Sequence, residues 1–206
     1  IDNNGGYGVL IEEGQNYNIN FIQNIISNHE SHGILYKTGG SSSGGYGNVI
    51  ENLIFNNGGS GVYFENINGG SCEIRNNTID GHTNYGLYWH RYSGSSLDLR
   101  NNSITNNGTG IYLSDNSNTQ VYYNNSWGNT TNFEGNLPDG TGALNQINPN
   151  FHVCDQYYNI SETPFYENPD VGNYHIESNS PNIGAGDPNI LDDDGSISDI
   201  GVHPYL

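Results

Sequence analysis

The chain has 206 residues with 22 acidic and only 4 basic side chains, which gives a formal net charge of −18. A phosphate-binding surface needs clustered Lys and Arg, so nucleic acid and anionic membranes are poor partners. No apolar run approaches the roughly 18 residues of a membrane helix, and no membrane insertion is expected. The 36 Asn and 29 Gly, combined with 12% aromatic residues, favour a narrow core with polar turns over disorder.

A similar phrase recurs about every 25 residues through the first two-thirds of the chain. It alternates apolar and polar residues between Asn, Gly and Ser turns and lacks helical spacing, so it predicts short strands. A strand set that returns at a fixed period predicts a parallel β-solenoid, here of five to six coils. The phrases are "YGVLI" (7–11), "FIQNIISNHESHGILY" (21–36), "VIENLIFNNGGSGVYF" (49–64), "EIRNNTIDGHTNYGLYW" (73–89), "DLRNNSITNNGTGIYL" (98–113) and "VYYNNSWGNTTNF" (121–133).

Two residue types mark the coils. One asparagine per coil is predicted to form a ladder of stacked side-chain amides in a turn. One glycine per coil is expected to supply a backbone angle that other residues resist. The asparagines are Asn24, Asn52, Asn77, Asn102 and Asn125, and the glycines are Gly8, Gly33, Gly61, Gly86 and Gly110.

After each glycine the chain alternates inward and outward. Val62, Leu87 and Ile111 are predicted to enter the core, as are Phe64, Trp89 and Leu113. The residues between them form an outward strip of apolar and aromatic side chains, and such strips tend to mark contact surfaces. Tyr63, Tyr88 and Tyr112 are therefore candidate contacts for carbohydrate, for the C-terminal segment or for a neighbouring copy. The strip consists of Leu10, Leu35, Tyr63, Tyr88 and Tyr112.

Composition changes near residue 135. All 7 prolines follow residue 137, and no Lys or Arg follows Arg100. We predict β-helix repeats over residues 1–135 and an irregular capping segment over 136–206. At the other end, "IDNNGGYGVLI" is expected to enter at the Gly position of a coil. A solenoid end needs a cover, so we expect Val9 and Ile11 to lie under preceding coils or under another copy, which would build a filament.

The "I-x-N-N-x-I…G-I-Y" phrase resembles the repeat of right-handed parallel β-helix proteins, the pectate-lyase-like superfold, over residues 6–133. The tail, with "NYHIESNSPNIGAGDPN" (173–189) and "DDDGSISDIGVHPY" (192–205), is similar to the closing segment of many secreted bacterial β-helix proteins. Asn182 and Gly184 replace the commoner Ala and Asp. The resemblance implies an all-β fold and an extracellular or cell-surface location. It implies no single activity, because the fold hosts lyases, hydrolases, adhesins and structural proteins.

Candidate catalytic residues lie in "YWHRY" (88–92), where Tyr88, His90 and Arg91 could act beside His82 of the same coil. Arg75 and Arg100 align one coil apart and could hold a uronate. These residues suit a polysaccharide lyase, which removes a proton beside a carboxylate. The paired aspartates and the Arg-rich motif of family enzymes are not recognisable. A non-catalytic module, structural, adhesive or carbohydrate-binding, is therefore favoured, with a lyase on acidic glycans as the alternative.

Asp187, Asp192, Asp194 and Asp199 could supply hard oxygen ligands to a structural calcium ion. Their spacing does not match an EF-hand, and an acidic solvated turn is the other interpretation.

Two further pairs of residues are candidates for a disulfide and for a shared metal site. Cys72 and Cys154 could form a disulfide, or Cys72, which aligns with Leu97, could be a buried thiol. His29 and His82 align two coils apart, too far for a shared metal.

Overall fold

The computed structural model describes residues 1–12, 18–38 and 46–203. Within these ranges there is no α-helix, and no helix is long and apolar enough to cross a membrane. The repeat consists of β1 (Val9–Glu12), β2 (Asn18–Ile22), β3 (Ile25–Ser27), β4 (Ile34–Lys37), β5 (Tyr46–Ile50), β6 (Leu53–Phe55), β7 (Val62–Asn68), β8 (Ser71–Arg75), β9 (Thr78–Asp80), β10 (Tyr85–Ser93), β11 (Ser96–Arg100), β12 (Ser103–Thr105), β13 (Thr109–Leu113), β14 (Thr119–Tyr122), β15 (Asn125–Trp127) and β16 (Thr131–Gly135).

Every third strand joins the same parallel sheet, so three sheets run along the molecule. We call β2, β5, β8, β11 and β14 the groove sheet, and β3, β6, β9, β12 and β15 the covered sheet. The tyrosine sheet contains β1, β4, β7, β10, β13 and β16. Each coil passes through the three sheets in this order. The predicted all-β fold, a parallel β-solenoid, is confirmed.

The core lies between the three sheets, where inward side chains stack in columns. Both predicted inward columns of the tyrosine sheet are fully buried, and Ile54, Ile79 and Ile104 form another column on the covered sheet. Burying one such side chain contributes about 1.5–3 kcal/mol. The residues predicted for the core on the tyrosine sheet are Val62, Leu87, Ile111, Phe64, Trp89 and Leu113.

The cysteines are free and buried. Cys72 faces inward on β8 opposite Leu97, as the alignment predicts, and its sulfur accepts a hydrogen bond from the Gly47 N–H. Burial raises the pKa of the Cys72 thiol to about 12. Of the two alternatives, the buried thiol describes the structure.

An asparagine ladder runs through the turn between the groove sheet and the covered sheet. Each rung after Asn24 accepts, at its Oδ1 atom, the backbone N–H of the previous rung over 2.9–3.1 Å. The prediction of Asn125 as a rung is wrong, because Asn124 occupies the position and Asn125 begins β15. Tyr123 takes the left-handed conformation that precedes each rung, with φ 56°. The rungs are Asn24, Asn52, Asn77, Asn102, Asn124 and Asn159.

A second ladder, which alternates asparagine and histidine, runs through the turn between the covered sheet and the tyrosine sheet. His29 and His82 belong to it, two coils apart as predicted. Each histidine accepts a backbone N–H at its ring Nδ1 atom and donates its backbone N–H to the Oδ1 atom of the next asparagine. The imidazoles therefore act as ladder rungs. The rungs are His29, Asn57, His82, Asn107 and Asn129.

The glycine of each coil is required for a different reason from the predicted backbone angle. None of these glycines is among the described residues with positive φ. A Cβ atom on Gly61 would lie 2.5 Å from the Ile79 side chain and 2.8 Å from the Gly86 carbonyl oxygen. Contacts this short are excluded, so glycine is needed because neighbouring coils approach closely.

The first residues already follow the coil. Asp2 pairs with Ser27, and the N–H of Ser31 donates to the Gly6 carbonyl. The predicted start at Gly8 is therefore wrong, because residues 1–7 lie over residues 25–32. Covering of this rung by another copy or by further coils stays a prediction.

Residues 136–203 contain two short antiparallel pairs, β17 (Gln146–Ile147) with β18 (Val153–Cys154) and β19 (Tyr166–Asn168) with β20 (Asn173–Ile176), and a 3-10 helix over Pro169–Val171. Residues 159 and 160 lie on the last coil, where Ile160 bridges Asn125. The β19–β20 pair covers the outer face of the covered sheet. There the Tyr174 hydroxyl donates to Asp80 over 2.9 Å, and the Tyr166 and Ser103 hydroxyls lie 2.6 Å apart. The domain boundary near residue 135 stays a prediction.

Candidate functional site

The outward face of the groove sheet carries charged side chains in register. On β8 and β11, Glu73 lies opposite Asp98 and Arg75 lies opposite Arg100. Tyr122 on β14 continues the arginine row. Because strand neighbours in a sheet lie about 4.8 Å apart, the parallel pairing brings these five side chains together.

Carboxylates surround both guanidinium groups. Arg100 contacts Glu73 at 2.7 Å, Asp187 at 3.3 Å and Asp98 at 3.5 Å. Arg75 contacts Glu73 at 3.0 Å and Glu51 at 3.3 Å. Asp187 comes from the C-terminal segment, 87 residues after Arg100. The site therefore joins three coils to the segment that wraps them.

Burial disfavours the charged forms of the acidic groups in the cluster. Burial raises the pKa of the Asp98 carboxyl, although Arg100 lowers it in part. Burial and the negative charge of Asp98 raise the pKa of Tyr122 to about 12. Within the described ranges, Asp98 Oδ1 and Arg100 Nε are buried without a hydrogen-bond partner. Each such atom costs about 1–3 kcal/mol. Atoms of this kind also occur outside the cluster, on His29, Tyr36, Trp89 and Asn101, so they do not by themselves distinguish it.

The cluster lines a groove between the groove sheet and the C-terminal segment. Two adjoining depressions, of about 620 and 630 Å³, share Arg100. The first is polar and is bounded by residues 189–193, whereas Tyr122, Tyr123, Tyr157 and Tyr158 line the second. Asp98 lines a third depression, of about 670 Å³, which shares Thr119 and Gln120 with the second. The side chains of Arg100 and Asp98 keep 21% and 29% exposure. The groove thus offers hydrogen-bond donors, acceptors and aromatic surface within a few coils.

The predicted outward strip is in register on the tyrosine sheet, and its aromatic members form a stacked column. The rings of Tyr63 and Tyr88 lie 4.2 Å apart at 4°, and those of Tyr88 and Tyr112 lie 4.9 Å apart at 3°. His32 stacks above Tyr63, and Tyr7 stacks above His32. The ring faces therefore cover one another. A sugar ring would need a free face, so the column offers mainly its edges and hydroxyls. The predicted contact role of Tyr63, Tyr88 and Tyr112 stays a prediction.

The predicted catalytic residues have other partners. Tyr88 and His90 share a face, with ring centroids 6.5 Å apart, but burial and Tyr63 raise the pKa of Tyr88 to about 12. A phenol that acts as a base needs the opposite shift. Arg91 donates to the Ser95 carbonyl and pairs with Asp115, and His82 is buried in its ladder. The geometry gives this group no support as a lyase site.

The four aspartates predicted to bind calcium have separate partners. Asp187 pairs with Arg100, Asp192 accepts the Asp199 N–H, Asp194 accepts the Ser196 N–H, and Asp199 accepts the Gly184 N–H. The described residues contain no group of three or more His, Cys, Asp or Glu that could hold a metal. Calcium binding stays a prediction, without support from this geometry.

Glu73, Asp98 and Tyr122 were missed as site residues. The alignment that pairs Arg75 with Arg100 also pairs Glu73 with Asp98, two positions earlier. The adjacent position of these two carboxylates could therefore have been predicted from the repeat. The position of Asp187 was not, because it depends on the path of the C-terminal segment.

Comparison with known proteins supports the fold. The family model described as "Right handed beta helix region" matches residues 45–183, more than half of the chain. No curated protein and no solved structure matches the chain. Together with the parallel β-solenoid, the family match shows that the chain belongs to the right-handed β-helix family.

Proposed function

We propose that this β-helix protein is a carbohydrate-binding module whose groove holds a segment of polysaccharide. The observation that carries the proposal is the row of Arg75, Arg100 and Tyr122 beside Glu73 and Asp98. Sugar hydroxyls both donate and accept hydrogen bonds, and sugar rings pack on aromatic side chains. A groove with guanidinium, carboxylate and tyrosine groups matches both properties.

The proposal favours the groove sheet over the tyrosine sheet. On the groove sheet, the side chains of Arg100 and Asp98 are partly exposed. The rings of the tyrosine column stack face to face, which leaves mainly their edges and hydroxyls for a ligand. An extracellular or cell-surface location fits a polysaccharide ligand, and it stays a prediction, as does assembly of neighbouring copies into a filament.

Affinity electrophoresis against a panel of soluble polysaccharides tests the proposal. At least one polysaccharide should retard the wild-type protein, and Tyr122→Ala should weaken that binding by about ten-fold or more, since it removes the aromatic surface beside Arg100. Tyr92→Ala is the matched control, because Tyr92 is a 59% exposed tyrosine on the tyrosine sheet. Equal retardation of the two variants, or no retardation by any polysaccharide, would reject the groove as the binding site.

Glycoside hydrolysis is a second candidate, supported by one observation. Hydrolysis needs a protonated carboxyl beside an ionised one. The Asp98 carboxyl has a raised pKa, and Glu73 contacts the same Arg100 nitrogen. New reducing ends that disappear in Asp98→Asn and Glu73→Gln would support it. Their absence on every polysaccharide that binds leaves a binding module. Unsaturated uronate ends that are lost in His90→Ala would instead favour the lyase.

A further inference from the structure

The charge of the groove bears on which class of glycan it holds. The chain has four cationic Lys and Arg side chains, and each one already pairs with carboxylate. Arg75 and Arg100, the two in the groove, contact two and three carboxylates respectively. Neither guanidinium is therefore free to neutralise an acidic sugar.

Carboxylates outnumber guanidinium groups along the groove. Asp192 and Asp193 line the polar depression without a cationic partner among the described residues. A concave surface with an excess of one sign of charge attracts the opposite charge. The carboxylates that line the two depressions are Glu51, Glu73, Asp187, Asp192 and Asp193, and Asp98 lines the third depression beside them.

We propose that the groove selects a glycan that carries ammonium groups, a polymer rich in glucosamine, over neutral and acidic glycans. This inference rests on the proposed carbohydrate-binding function and names its ligand class. An ammonium group has three donors and no acceptor, which suits carboxylate oxygens that outnumber the arginines. A uronate polymer would bring further negative charge beside carboxylates that are already in excess.

The test compares three oligosaccharides of equal length by calorimetric titration. One contains glucosamine, one N-acetylglucosamine and one galacturonate, at a pH that protonates the amines. Glucosamine should bind about ten-fold more tightly than its acetylated form, and galacturonate most weakly. Rising salt should reduce the advantage of glucosamine, since salt screens partly exposed charges.

Two variants locate the effect. Asp98→Asn should bring the affinities for glucosamine and N-acetylglucosamine oligomers closer together by about three-fold or more. Glu134→Gln removes the same charge from the tyrosine sheet, where Glu134 accepts from Thr109, and should leave the preference unchanged. Equal effects of the two variants, or equally tight binding of polylysine, would reduce the preference to overall charge and overturn the inference.

The outcomes separate this inference from the proposed function. Tighter binding of the neutral or acidic oligomer, lost in Tyr122→Ala, would overturn the ammonium preference and keep the carbohydrate-binding groove. Failure of all three oligomers and of the polysaccharide panel would overturn both. Preferred binding of glucosamine that depends on Asp98 supports both.

Discussion

Two outward faces of the same coils are built in opposite ways. On the tyrosine sheet, rings stack on identical rings, and the column from Tyr63 to Tyr112 is complete within itself. On the groove sheet, Arg100 depends on Asp187 from the C-terminal segment, while Asp98 Oδ1 has no partner among the described residues. Repetition alone generates the first face. The second requires distant residues and retains unmatched polar groups.

This difference bears on the separate roles of the tyrosine sheet and the groove sheet. Stacked identical side chains add a similar stabilisation with each coil, as expected for a solenoid whose coils contact mainly their neighbours. A partly buried ion cluster is weak evidence for stability, because desolvation offsets the attraction between its charges. We therefore propose that the tyrosine face contributes stability and that the groove face binds the ligand.

The largest expected effect comes from the interior that both faces share. Ile79→Asp places an unpaired carboxylate between Ile54 and Ile104 in a fully buried column. The free energy of unfolding should fall by several kcal/mol, and both faces should be lost together. Thermal melting followed by circular dichroism checks this, with Ile79→Val as the volume-reduced control, which should cost about 1 kcal/mol. Wild-type melting of Ile79→Asp would contradict the inward assignment.

Acid should distinguish the two ladders, because only the ladder beside the tyrosine sheet contains histidine. Burial lowers the pKa of His82 from 6.5 to about 4. Between these pH values the unfolded state binds more protons, so the free energy of unfolding should fall as pH drops from 6.5 towards 4. The full shift corresponds to about 3 kcal/mol.

His82→Asn keeps a ladder acceptor, as Asn57 and Asn107 do, and should reduce this pH dependence. Urea unfolding at several pH values measures it. His175→Asn, at an exposed histidine, is the control. An unchanged pH slope in His82→Asn would show that His82 does not carry the effect.

Removing one ring from the column should have a smaller effect on stability than Ile79→Asp. Tyr88→Ala eliminates two stacked pairs, each worth about 0.5–1.5 kcal/mol. The melting temperature should fall while glycan binding remains. Tyr122→Ala should show the reverse pattern, with weaker binding and a smaller loss of stability. Loss of binding in Tyr88→Ala at a temperature where it stays folded would break the distinction between the faces.

Much of the fold could be predicted from the sequence because each coil repeats the same pattern of apolar, polar and turn residues. The alternation after each glycine gave the inward and outward residues from Val62 to Leu113. The predicted asparagine ladder is wrong only at the last coil. There Asn124 and Asn125 are adjacent, and only the left-handed conformation of Tyr123 shows which of them is the rung.

The site was less predictable, since it combines local and distant residues. Glu73 and Asp98 follow from the coil alignment, but Asp187 reaches Arg100 only through the irregular C-terminal segment. The reason for the glycine in each coil could not be predicted from the sequence either, because the close approach of Gly61 to Gly86 is a property of packed coils.

Side-by-side titration of one glycan into Tyr122→Ala and Tyr88→Ala distinguishes binding in the groove from binding on the tyrosine column. The glycan is the one that the wild-type protein binds most tightly, and both variants are measured at a temperature where each is folded. We expect a dissociation constant raised about ten-fold or more in Tyr122→Ala and unchanged in Tyr88→Ala. A raised dissociation constant in Tyr88→Ala alone would place the ligand on the tyrosine column and overturn the groove as the binding site.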